Sequence, residues 1–180
     1  MALAITTIAT KASAQRNDMS AMSGEVYFWF NVKVANTIDR ETKIEGYSLR
    51  LISPTIYNGN LRKFQKALWE GTAHGTKIPV GPFTSNEEAK QAMLIYKGHK
   101  DATIGSNVEG SFSWFLVDVT ILERSHSYQF ERMAARVAFG SAKEFGDVLR
   151  ESLSFKKLAI GPFYDDMQAE KSKSLYRIEE

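Results

Sequence analysis

The chain has no cysteine, and that absence removes disulfides, thiolate nucleophiles and most structural zinc sites together. Proline is scarce, four in 180 residues, so each one is informative: Pro54 ends a strand, Pro79 has no N–H for a ladder bond, and Pro82 and Pro162 recur in one phrase. No apolar run reaches the length of a membrane-crossing helix, so no membrane span is expected. Blocks of like charge are also missing. With 23 Lys and Arg against 21 Asp and Glu, and lysines alternating with acids, the pI near 8.7 does not mark a specific nucleic-acid surface. The three histidines, His74, His99 and His126, fall in connectors without HxH or HxxxH spacing, and there is no glycine-rich phosphate loop, nucleophile elbow or nucleophile–base pair. No catalytic residue, cofactor or metal ligand is therefore predicted.

What the chain does have is a folded protein's composition, 43% hydrophobic and 12% aromatic, and a phrase used twice. Lys77-Ile-Pro-Val-Gly-Pro-Phe83 returns as Lys157-Leu-Ala-Ile-Gly-Pro-Phe163, 80 residues on. Other landmarks keep step: Trp29-Phe30 with Trp114-Phe115, Phe64 and Leu68 with Phe145 and Leu149, Ala89 and Tyr96 with Ala169 and Tyr176. The offset shrinks by a few residues between the first strand and the following helix, which places a deletion in the second hairpin. Apolar positions repeated in order, with one loop-sized gap, predict duplication of a folded unit. At roughly 70 to 75 residues, each copy has a thin core and is expected to pack on the other.

Read in order, residues 1–24 form an N-terminal arm, 25–98 a first ββαβα repeat, 99–110 a linker and 111–180 a second repeat; the predicted class is α+β, with antiparallel sheets and helices mainly on one face. In the arm, no basic residue precedes Lys11 and Thr6-Thr7 interrupts the apolar run, so an assembly contact is favoured over a secretory signal, although Ala12-Ser13-Ala14 resembles a cleavage site. Strand character covers Glu25–Thr37, with Phe28, Phe30, Val32 and Val34 on the core face. Tyr27 and Trp29 fall on the other face, as do Phe112 and Trp114 in the second repeat. A helix or the other repeat would cover them; left open, the four are candidate interface anchors. Ile44–Ile52 returns as a strand. A helix runs from Leu61 to Glu70, stopped by Gly71, and Pro79 puts the following strand at an edge. Gly81-Pro82 turns the chain. Ser85 and Glu88, like Ser141 and Glu144, are spaced as capping boxes, so the adjacent acids Glu87-Glu88 and Asp165-Asp166 read as caps. Tyr128–Phe139 is the second returning strand, and the last helix, polar through Lys171–Ser174, is expected on the outside or held by another chain.

Ile78-Pro-Val-Gly-Pro-Phe-Thr-Ser-Asn-Glu-Glu-Ala89 resembles the second half of a SPOR domain, whose strand ends in Val-Gly-Pro-Phe and leads through a capped turn into a helix with an early alanine. Gly81, Pro82, Phe83 and Ala89 carry the likeness, and Gly161, Pro162, Phe163 and Ala169 carry it again. It spans about twenty residues per repeat; Ser53-Pro54 stands where the family has a Gly-Ser-Phe-like phrase, and a long hairpin is added in front. The resemblance implies a peptidoglycan glycan-strand partner in the bacterial envelope. The residues themselves point first to a non-enzymatic structural subunit, a virion, phage-tail or connector ring protein, which partners copies of itself and other assembly proteins.

Overall fold

The computed structural model describes residues 24–38, 41–42, 45–51, 53–73, 77–98, 108–122, 127–133 and 136–176. Its elements are β1 (Tyr27–Ile38), β2 (Glu45–Leu51), β3 (Tyr57–Gly59), α1 (Leu61–Ala73), β4 (Ile78–Phe83) and α2 (Asn86–Lys97), then β5 (Ser111–Leu122), β6 (Ser127–Met133), β7 (Ala138–Ser141), α3 (Ala142–Ser152), β8 (Lys157–Phe163) and α4 (Asp166–Leu175). The fold is α+β, with two antiparallel sheets and four helices among the described residues. In each sheet the long strand is central. β1 pairs along one edge with β2 over Val32–Ile38 and with β3 over Tyr27–Trp29, and along the other edge with β4 over Phe28–Val32. β5 pairs likewise with β6, β7 and β8.

The returning strand is thus broken in both sheets. Pro54 lies in the break between β2 and β3, where a missing N–H costs no ladder bond. The single strand expected over Tyr128–Phe139 is two, β6 and β7.

The recurring phrase does not turn the chain out of the strand; it forms a bulge inside it. Phe28 faces Phe83 and Phe30 faces Val80, so Gly81 and Pro82 together oppose Trp29; Gly161 and Pro162 oppose Trp114 in the same way. Both Gly–Pro bonds are cis, and the two glycines have φ of 144° and 145°. A Cβ on Gly81 would lie 2.9 Å from Phe28 O and 3.1 Å from Trp29 Cβ. Only glycine fits that conformation and that approach. Pro79 meets its expectation, since β4 pairs with β1 alone among the described strands.

α1 continues through Gly71 instead of stopping there. A Cβ at Gly71 would sit 2.6 Å from Lys77 O, so this glycine serves the close passage of the chain entering β4, not a helix end. Phe64 and Leu68 are buried as the helical spacing requires. Buried side chains of both sheets and all four helices form one cluster, from Phe30 and Phe64 through Phe83 to Phe115, Phe145 and Phe163.

Candidate functional site

The seam between the sheets is built twice over by the same kinds of residue. Phe83 and Phe163 meet with centroids 5.1 Å apart. Tyr96, at the end of α2, packs edge-on against Phe30 of β1 and also against Phe145 of α3. Its hydroxyl donates to Ala159 O in β8. Tyr176, at the end of α4, packs against Phe115 and Phe64, and donates to Pro79 O at 2.6 Å. Each tyrosine therefore covers the outer edge of the other sheet, supplying donors to carbonyls that no neighbouring strand takes up. Ser172 adds a bond to Gly81 O at 2.6 Å. Burial raises the pKa of both phenols above the ordinary 10.0, because the water a phenolate would lose outweighs the backbone hydrogen bond at Gly161 for Tyr96 and at Gly81 for Tyr176.

These contacts correct the expectation for α4. Its inner stripe, Gln168, Ala169 and Ser172 followed by Tyr176, is buried at the seam. The stripe is polar because it meets acceptors, Ser172 the Gly81 carbonyl and Gln168 the Glu88 carboxylate.

Glu88 ties the seam from the other side. Ser85 Oγ accepts from Glu88 N at 3.1 Å, but the carboxylate does not close a capping box as the Ser141–Glu144 pair does. It accepts from Thr84 N at 3.1 Å and Thr84 Oγ1 at 3.2 Å, and from across the seam it accepts Tyr164 N at 3.0 Å and Gln168 Nε2 at 3.1 Å. With 1% exposure, this carboxylate is held by hydrogen bonds from both sheets' connections, beside the positive end of α2. Asp165 caps α4 through Gln168 N at 2.7 Å, and Asp166 accepts from Ser113 Oγ. The acid pairs are thus occupied in capping and cross-linking.

Beside Thr84 lies a cleft of about 440 Å³ whose walls include Val26 and Tyr27 at the start of β1, Pro82, and Met167 and Lys171 of α4. Lys171 Nζ donates to Tyr27 Oη at 2.7 Å, sits 5.0 Å from the centre of that ring and lies 3.8 Å from the Glu25 carboxylate, which itself accepts from Tyr27. Burial and the Glu25 bond raise the Tyr27 pKa. Val26 is 54% exposed and Met167 80%, so the cleft has an apolar rim and a charged floor.

The four candidate anchors lie inside the chain. Tyr27, Trp29, Phe112 and Trp114 are 3% to 5% exposed. Trp29 meets Phe64 of α1 edge-on at 5.6 Å and Trp114 meets Phe145 of α3 at 5.7 Å, so helices of the same half cover the tryptophans. Tyr27 alone keeps a functional setting, as a wall of the cleft. The alternation argument put one face in the core; here both are, since helices pack on the face it left open. Sequence reasoning missed the cross-seam role of Glu88 and the cleft itself. The signals were present, in Gln168 standing 80 residues after Glu88 and Tyr164 standing 80 after Thr84. The arm's residues 1–23 and the three histidines lie outside the described residues. Among the described residues no three His, Asp or Glu side chains gather as a metal site would need, and no helix is long and apolar enough to cross a membrane. Comparison of the chain with protein-family models, with curated proteins and with solved structures finds no match.

Proposed function

We propose that the chain is a tandem duplication of a ββαβα unit and works as a non-enzymatic structural subunit of a larger assembly, in the form of a virion, phage-tail or connector ring component. The observation that carries the assembly reading is exposed apolar bulk: Met167 is 80% exposed, Phe155 73%, Phe139 66% and Trp69 62%. Large apolar side chains left in water on a chain with so closed a core are what partner surfaces look like. Phe155 also borders a shallow groove with Leu116 and Val148. The duplication is supported by the paired contacts, in which Tyr96 and Tyr176, Trp29 and Trp114, and Gly81 and Gly161 each do the same work.

Sedimentation velocity of the full chain across a wide concentration range tests this reading, with electron microscopy of any large species. We expect discrete oligomers, ring-shaped in the images, and a shift to monomer in Phe139→Ser or Phe155→Ser with the circular dichroism spectrum unchanged. A chain that stays monomeric at the highest concentration, with or without those substitutions, contradicts it.

A further inference from the structure

The cleft at Thr84 has a counterpart in the same chain that a tyrosine partly covers. Tyr164 follows the second Gly-Pro-Phe as Thr84 follows the first. Its ring lies 5.7 Å from that of Phe112, with planes 32° apart, and its hydroxyl donates to Gln91 Oε1 at 2.9 Å. The space between the start of β5 and helix α2 is thereby bridged by a phenol that stays 46% exposed. Around Thr84 the matching wall positions are Tyr27, for Phe112, and Lys171, for Gln91. Threonine brings no ring, and its hydroxyl turns to Glu88 at 3.2 Å. The volume that a tyrosine occupies on one side therefore stands open on the other.

The walls suit the same guest. Val26, Pro82 and Met167 offer apolar surface to a ring, and the Lys171 ammonium, held by the buried Tyr27, lies beside them. An ammonium has three protons, of which the bond to Tyr27 uses one. A phenolic oxygen can accept another, in place of the donation that Tyr164 makes to Gln91. Tyrosine is also the side chain whose apolar ring and polar tip fit a pocket with an apolar rim and a charged floor.

We propose that this cleft binds a tyrosine side chain presented by another protein, its ring against Val26 and Met167 and its hydroxyl on Lys171. The site goes beyond the assembly reading, and its test does not depend on whether the chain forms rings. The full chain, carrying ¹³C-methyl methionine, is titrated with N-acetyl-L-tyrosinamide and, separately, with N-acetyl-L-leucinamide. A saturable shift of the Met167 methyl is expected with the tyrosine probe, at least about ten-fold weaker with the leucine probe. Thr84→Tyr, which places in the cleft the side chain its counterpart already holds, is expected to weaken tyrosinamide binding by at least about ten-fold. Should that variant fail to fold, Val26→Glu at the exposed rim, which keeps the Met167 reporter, is expected to do the same. No saturable shift, equal response to both probes, or undiminished binding in the variants overturns the site. A Met167 shift that follows protein concentration without any probe, and vanishes in Thr84→Tyr, overturns the assignment to another protein by making a second copy the occupant.

Discussion

Asn31 is buried at 5% exposure with its Oδ1 unpartnered among the described residues, facing Pro79 in the ladder; Leu116 holds the matching place, facing Ala159. An unpaired buried amide oxygen loses its water without compensation. Asn31→Leu is therefore expected to raise stability by about 1 kcal/mol in urea unfolding, with the slope unchanged. Glu88 is the opposite case, because its removal strands donors instead of relieving an acceptor. Glu88→Ala leaves Thr84 N–H, Tyr164 N–H and the Gln168 amide short of a partner, and is expected to cost roughly 3 kcal/mol. Glu88→Gln, which keeps the shape and one acceptor, should cost less. The sequence announced Glu88 as a helix-capping residue by its spacing from Ser85. Of the second partner set only the 80-residue offset from Glu88 to Gln168 gave a sign, because a hydrogen bond to a residue 76 positions away leaves no local pattern.

At the scale of elements, the two bulges explain why the repeated phrase needs its glycine. Gly81→Ala and Gly161→Ala each place a Cβ against backbone at a positive φ, and each is expected to lose at least about 2 kcal/mol. Gly24→Ala, with nothing within 4 Å of its new Cβ among the described residues, should change stability by no more than about 0.5 kcal/mol. Thermal melts of the three variants side by side check this. Strands β1, β4, β5 and β8 and all four helices were legible, because aromatic and β-branched runs, helical spacing of Phe64 and Leu68, and Ser caps are local signals. The extension of α1 through Gly71 was not, since what fixes that glycine is the nearness of Lys77 O. Nor was the burial of Trp29 and Trp114: period-two alternation says which residues share a face, and says nothing about what later packs upon it.

For the whole molecule, the seam makes the two sheets depend on each other. Tyr96 and Tyr176 are fully enclosed phenols whose pKa values burial raises. A phenol held neutral in the folded state contributes stability that is fully present below the free phenol's 10.0 and is lost as pH rises past it, since only the unfolded chain then gains by ionising. Phenolate absorbance from these two residues should accordingly appear only with unfolding, above about pH 10. A spectrophotometric titration at 295 nm with Tyr96→Phe and Tyr176→Phe for assignment measures this; either substitution is also expected to cost about 1 to 2 kcal/mol through the lost carbonyl bond.

Hydrogen exchange in rising urea, read by mass spectrometry on peptides from β1 and β4 in one half and β5 and β8 in the other, addresses the shared core most directly. If tyrosines traded across the seam bind the halves into one cooperative body, the most protected amides of both halves open together, with one free energy and one urea dependence. Two separate openings, with one half exchanging fully while the other stays protected, would contradict it.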